Sequence, residues 1–339
     1  MSKKIILHTL NYDKFWAHYS LIHDPDFIST LYNRGYTCKF SKNTIIEKDD
    51  IVLFIETNSI GIPLFIFSEL AIFRRIIFFI KFILKIKIYL KRYLQKMQIK
   101  KQNCFLLVLE SELHAPENHV KSLNKFCNKI FTWNDNLIKE PGFIKINIPQ
   151  PINKIKFNKI NFFNKKLLVN ISSNKFSNSK IEIYSKRLQS ISFFDKFHSN
   201  EFDLYGFDWN RPNNIYFNTY KGTVEDKISV MSQYRFAIIY ENCRIDGYIT
   251  EKIFDCFYSK CVPIYLGAPN IRNYIPSNCY IDRDHFHNDF DLYEYISNIN
   301  ESQYDDYLIN IEIFLKSHKY NEFLASSLAE IMLNEFDKI

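Results

Sequence analysis

Residues 236–269 read FAIIYENCRIDGYITEKIFDCFYSKCVPIYLGAP, and this stretch decides the fold. Residues 236–240 form a short apolar, β-rich run and 261–266 form another, while 250–260 between them place apolar residues at helical spacing. The order is strand, polar loop, helix, strand. A crossover helix makes the two strands parallel, which implies an open α/β sheet with ligands beyond the carboxyl ends of its strands. The loop 241–248 lies at such an end. Thr250 is placed to cap the helix, so free backbone N–H groups and the positive dipole end would face the loop, a favourable place for a phosphate. Lys252 adds a mobile cation, and Glu251 and Asn242 offer groups that fix sugar hydroxyls. The chemistry points to a nucleotide sugar or another phosphorylated ligand. The plain alternative is a solvated loop in which Glu251 and Lys252 only decorate a helix start.

A chain of 339 residues is long enough for two domains with proper cores, and 47% hydrophobic content with 17% aromatics excludes a disordered chain. Seven cysteines form no CxxC pair, and the first residues show no secretory pattern. Reduced thiols and a cytoplasmic setting are expected. Only seven glycines occur, and Gly206, Gly222, Gly247 and Gly267 fall in the second half, where they mark tight turns or close ligand approach.

The first half repeats the α/β signal. Strands are expected near 4–10, 36–40, 50–56 and 104–109, with a helix within 15–33. No Gly-rich dinucleotide fingerprint or P-loop occurs. Residues 68–101 carry ten basic side chains and only Glu69 as an acid, so these cations exceed the chain's formal net charge of +7. On a helix they form a cationic stripe beside broad apolar faces, the pattern of a helix lying in an anionic membrane surface. The charges interrupt it too often for a transmembrane span, and bulky aliphatics between them argue against nucleic acid. An ordinary domain helix with its lysines in water is the alternative. The strand 104–109 ends in Glu110, followed by Glu112 and His114, where α/β sheets place their chemistry. Pro149 and Pro151, then a Lys/Asn-rich run, read as an interdomain linker over 153–166. The expected organisation is therefore an N-terminal domain 1–152, the linker, a second domain 167–302 and helices over 303–339.

The segments YENCRIDGYITEK and VPIYLGAPNIRNYIP together resemble the signature of glycosyltransferase family 10, the α-1,3/4-fucosyltransferases, in its bacterial form. Asn242, Tyr248, Glu251 and Lys252 keep that family's spacing, with Tyr240 in place of the usual Phe. Glu110-Ser111-Glu112-Leu113-His114-Ala115-Pro116 is similar to the family's Glu-Ser-Pro-x-His-x-Pro block, with Glu112 where Pro is usual. Lys180, four residues before Tyr184, stands where the family has an arginine that binds the donor diphosphate. Lysine keeps the charge and loses the bidentate fork.

The resemblance implies a GT-B-like α/β fold, two Rossmann-type domains with parallel sheets facing across a cleft, the first for acceptor and the second for nucleotide sugar. It also implies inverting transfer of L-fucose from GDP-fucose to a glycan hydroxyl, such as O3 of GlcNAc or glucose in a lipopolysaccharide. Glu110 would be the general base, with Glu112 and His114 near the acceptor, and Lys180, Asn242, Tyr248, Glu251 and Lys252 would bind the donor. No cofactor or metal ligand set is implied, a divalent ion acting at most as a stimulant. Two other readings stay open: the same fold with another nucleotide sugar, and a catalytically silent, membrane-associated glycan-binding protein. The expected setting is peripheral, on the inner face of the cytoplasmic membrane through 68–101.

Overall fold

A computed structural model describes residues 3–8, 24–40, 49–55, 100–150, 160–209 and 217–339. The chain divides into two compact units, Met1–Pro151 with Glu322–Ile339, and Ile152–Asn321.

In the first unit the described elements are β1 (Lys3–His8), α1 (Pro25–Asn33), β2 (Tyr36–Phe40), β3 (Ile51–Ile55), β4 (Cys104–Val108), β5 (Lys129–Thr132) and β6 (Phe143–Lys145). The helix starts where the sequence supplies both a cap and a fixed φ: the Asp24 carboxylate accepts from the N–H groups of Asp26 and Phe27, and Pro25 takes the first turn. The strands pair in parallel in the order β2-β1-β3-β4-β5-β6. All five residues of β3 and of β4 are buried, as expected of apolar runs in a sheet covered on both faces.

The second unit holds β7 (Lys166–Ile171), α2 (Tyr184–Phe197), β8 (Phe202–Tyr205), α3 (Lys227–Met231), β9 (Tyr234–Tyr240), α4 (Glu251–Tyr258), β10 (Val262–Leu266), β11 (Ile281–Asp282), α5 (Asp289–Asn298), α6 (Glu301–Leu315) and α7 (His318–Asn321). Its sheet, β11-β10-β9-β7-β8, is also parallel throughout. The unit expected over 236–266 is therefore present: β9 and β10 pair from Phe236 against Val262 to Tyr240 against Leu266, with α4 between them in sequence. In both sheets the strand order reverses beside the first strand, at β1/β3 and at β7/β9. Such switch points open a crevice beyond the carboxyl ends of the strands. At the second, Gly206 lies at φ +128° and a Cβ there would sit 1.9 Å from the Ser172 carbonyl oxygen. Only glycine lets the end of β8 approach β7 so closely.

The C-terminal stretch, expected to be helical, forms three helices, and they divide between the units. α6 and α7 stay with the second, while α8 (Ala325–Phe336) returns to the first. There Leu328, Met332, Leu333 and Phe336 join Phe105 and Phe131 in one buried cluster, with Phe336 edge-on to Phe105 at 4.6 Å between centroids. Asp337 fixes the helix end by pairing with Arg34 at 2.5 Å and accepting from the Tyr36 hydroxyl at 2.6 Å.

Residues 56–99, which include nearly all of the basic stretch 68–101, lie outside the described residues, as do residues 153–159 of the expected linker. Among the described residues no helix is long and apolar enough to cross a membrane. All seven cysteines are free thiols.

Candidate active site

β9 is apolar from Phe236 to Tyr240, and the next residue, Glu241, is fully buried. A carboxylate sealed at a strand end must find donors. Glu241 finds three: the Thr250 N–H at 2.9 Å, the Thr250 hydroxyl at 2.8 Å and the Lys252 ammonium at 3.0 Å. This changes one expectation. Thr250 precedes α4 but its side chain caps no N–H of that helix. Its hydroxyl donates to Glu241 and accepts from Lys252 at 2.9 Å, because a charge-assisted bond to a buried carboxylate outweighs a neutral cap. Burial works against the Lys252 charge, but the carboxylates of Glu241 and Glu251 more than offset it and raise its pKa, so the side chain stays an ammonium. Gly267, at the end of β10, leaves room for this network: a Cβ there would lie 2.7 Å from the Glu241 Cγ and 2.3 Å from the Tyr265 hydroxyl.

Behind the loop, Arg187 of α2 is buried and donates to the carbonyl oxygens of Tyr240 at 2.5 Å and Glu241 at 3.0 Å. Two strand-end carbonyls are thus satisfied by one guanidinium, which no neighbouring carboxylate neutralises through a direct hydrogen bond among the described residues. Asn170 at the end of β7 donates to the Ile238 carbonyl at 2.9 Å and accepts from the Ser172 hydroxyl at 2.6 Å, which ties β7 to β9 across the switch point.

Beyond these strand ends lies a cavity of about 260 Å³. Its walls include Asn170, Ser172, Gly206, Asn242, Glu251 and Lys252, with Lys175, Arg187 and Lys227 as further cations. Pockets that enclose a whole drug-sized ligand span roughly 300–1,000 Å³. This one takes a fragment of that size while the rest of a ligand projects from it.

Asn242, Glu251 and Lys252 thus come together, as the spacing suggested. Tyr248 is buried and contributes its backbone carbonyl to a 3.5 Å contact with the Tyr265 hydroxyl, outside the cavity lining. Lys180 is exposed and also outside that lining. The sequence reading passed over Glu241, Arg187, Lys175, Lys227 and Asp255. Asp255 was readable: it stands one helical turn beyond Glu251, on the same face of α4. Burial raises its pKa to about 7, with Lys227 at 3.9 Å opposing that shift. Glu251 goes the other way: burial pushes its pKa up, and Lys252 and Lys227 outweigh burial and bring it below the usual value.

In the first unit, Glu110 follows β4 and its carboxylate lies 3.4 Å from the His114 Nδ1, with both side chains partly exposed. The Ser111 hydroxyl stands 3.4 Å from the same nitrogen. Glu112 is exposed, yet partial burial raises its pKa. The turn is held from behind by His119, which the sequence reading missed. Burial lowers the His119 pKa to about 4, so the ring is neutral, and its Nε2–H donates to the Glu110 carbonyl at 3.0 Å. The ring packs on Trp133, whose indole N–H donates to the Leu109 carbonyl at 3.0 Å. Two aromatic donors therefore fix the backbone that presents Glu110.

The Asp282-Arg283-Asp284 triplet is engaged with arginines: Asp282 pairs with Arg272 at 3.0 Å and Asp284 with Arg244 at 2.6 Å. No group of three or more His, Cys, Asp or Glu side chains suited to a metal ion occurs among the described residues.

Comparison with known proteins first defines the class. The crystal structure of an α1,3-fucosyltransferase with GDP-fucose superposes with a TM-score of 0.59 at 13% identity, covering 98% of this chain and 90% of that one. With two parallel sheets of Rossmann type, the fold is that of the GT-B glycosyltransferases. Residues 163–320, most of the second unit, match the model of glycosyltransferase family 10 (fucosyltransferase), C-terminal part. The chain is 34% identical over 79 residues to an α-(1,3)-fucosyltransferase of Helicobacter pylori, covering 23% of this chain and 16% of that protein. It is 33% identical over 102 residues to GDP-fucose protein O-fucosyltransferase 3 of Xenopus tropicalis, covering 30% and 21%. The matched segments thus span about a fifth of the length of these relatives.

Replacing Lys252 by Ala would leave Glu241 buried with one donor residue, a change that costs about 3–5 kcal/mol in comparable buried pairs. Lys252→Ala should lower the urea midpoint accordingly, and Lys252→Arg should recover most of the loss. An alanine variant as stable as the wild type would show that Lys252 is free of this structural duty.

Proposed function

We propose that the protein is an inverting fucosyltransferase that moves L-fucose from GDP-fucose to a hydroxyl of a cell-surface glycan. The observation that carries this reading is the convergence of Asn242, Glu251 and Lys252, inside the stretch that matches family 10, on one cation-lined cavity at the β7/β9 switch point. The names of the relatives, which act with GDP-fucose or carry out α-(1,3) transfer, support the donor and the reaction.

In the reaction an acceptor oxygen attacks C1 of fucose from the face opposite the diphosphate, the C1–O bond to GDP breaks, and the acceptor proton passes to a general base. Glu110 is that base. It stands at a strand end, is partly open to solvent, and rests on a backbone that His119 and Trp133 hold in place. Lys252, Lys175 and the first N–H groups of α4 stabilise the charge that develops on the departing diphosphate. Glu251, kept ionised by two lysines, takes the ribose hydroxyls, and Asn242 orients the donor. Lys180 and Tyr248 lie outside the cavity lining and are given no contact with the donor, and Glu112 and His114 act at the acceptor. No cofactor beyond the nucleotide sugar enters this chemistry. The acceptor is a hydroxyl such as O3 of GlcNAc or glucose in a lipopolysaccharide.

The basic stretch 68–101 holds the enzyme on the anionic inner face of the cytoplasmic membrane, beside a lipid-linked acceptor. Replacing Lys81, Lys85 and Arg92 with Glu should release the protein from vesicles containing phosphatidylserine. Continued co-sedimentation of the variant would count against an electrostatic anchor.

Glu110→Gln should leave GDP-fucose affinity within about twofold while lowering turnover by about 10²–10⁴-fold, the scale of general-base loss. Glu112→Gln should retain most activity. If Glu110→Gln turns over normally and Glu112→Gln does not, the base is Glu112.

A further inference from the structure

The donor cavity contains a carboxylate, Asp255, that the reaction as described does not use. Asp255 lies on α4 one turn beyond Glu251, and Lys227 opens α3. Both line the cavity, with the Lys227 Nζ 3.9 Å from the Asp255 Oδ2. That separation is too long for a hydrogen bond. Among the described residues the Asp255 carboxylate accepts no hydrogen bond at all, although its side chain is only 17% exposed. A carboxylate held this way is costly, and burial raises its pKa to about 7 against the pull of Lys227. The other charges near it are Glu251 and Lys252 on its own helix. A partly buried acceptor with no protein donor, lining a ligand cavity, is placed to take a donor from the ligand.

An adjacent carboxylate and ammonium suit guanine. Its Watson–Crick edge presents one acceptor, O6, next to two donors, N1–H and the N2 amino group. The same cavity holds Phe207, 60% exposed, which stacks on no other ring among the described residues. An open aromatic face is a platform for a base.

Resting on the donor reading above, we propose that Asp255 and Lys227 read the guanine of the donor. The Asp255 carboxylate accepts from N1–H and the N2 amino group, the Lys227 ammonium donates to O6, and Phe207 covers a face of the ring. The arrangement selects guanine over uracil and adenine. Adenine presents an amino group where guanine has O6, and it would place two donors at Lys227; uracil is too short to reach the pair from the same sugar position. Hypoxanthine keeps O6 and N1–H and lacks only the N2 amino group, so it isolates one contact to Asp255.

The test is calorimetric titration of the full chain with GDP, inosine diphosphate, UDP and ADP. The wild type should bind GDP about tenfold more tightly than inosine diphosphate, the worth of one charge-assisted hydrogen bond, and far more tightly than UDP or ADP. In Asp255→Asn, GDP affinity should fall by about 10–100-fold and the ratio of GDP to inosine diphosphate should shrink to within about threefold. Lys227→Met should weaken GDP and inosine diphosphate alike, since both carry O6. Loss of fold is excluded by melting at pH 8. A carboxyl whose folded pKa is raised stabilises the protein only while protonated, and that stability is lost as pH rises from about 4 through 7. Asp255→Asn, which stays neutral, should therefore melt at or above the wild type. An Asp255→Asn variant that keeps the full discrimination, or that weakens GDP and inosine diphosphate equally, overturns the base-reading pair while leaving the donor reading intact. A wild type that binds UDP or ADP as tightly as GDP overturns the guanosine donor itself, and the pair's role with it.

Discussion

The second unit depends on one buried charge. Glu241 follows β9 with no exposure, and a carboxylate there is tolerable only because Thr250 and Lys252 supply three donors. Meeting that requirement fixes the start of α4 against the end of β9, nine residues earlier in the chain. It also forbids a side chain at Gly267, whose Cβ would meet Glu241, and it aligns the two carbonyls that Arg187 grips. The loop after β9 is therefore held in place by the protein's own side chains. A preorganised site adds little reorganisation cost when charge moves onto a leaving group.

The first unit uses a comparable device with neutral groups. His119 and Trp133 donate to consecutive carbonyls, Glu110 and Leu109, and so set the turn after β4 from inside the core. The Glu110 carboxylate is left partly in water, while the His119 and Trp133 rings that hold its backbone are buried. In both units the loop after a strand is held through backbone carbonyls or through a sealed partner, and the strand ends supply the frame.

The strands were legible in the sequence because parallel, fully covered strands are uninterrupted apolar runs, as 51–55, 104–108 and 236–240 are. The convergence of Asn242, Glu251 and Lys252 was legible for the same reason: the βαβ pattern puts a strand end and a helix start in one place. Glu241 was not, because nothing in a sequence distinguishes a carboxylate that caps a loop in water from one that is sealed and charged. Thr250 misled for a related reason, since its preference for capping was overridden by a partner nine residues away. The return of α8 to the first unit was also invisible, because an amphipathic helix does not announce which sheet it covers. Lys180 was placed by resemblance alone, and the cavity is lined instead by Lys175, Arg187, Lys227 and Lys252.

The central claim is that the second unit is a site for a guanosine diphosphate sugar that works without metal. It is tested most directly by calorimetric titration of the protein with GDP-fucose, GDP-mannose, UDP-GlcNAc and UDP-galactose in EDTA and then with Mn²⁺. Selective binding of GDP-fucose, unchanged by the metal, is the result expected. Tighter binding of a UDP-sugar, or binding only when Mn²⁺ is present, would contradict the account.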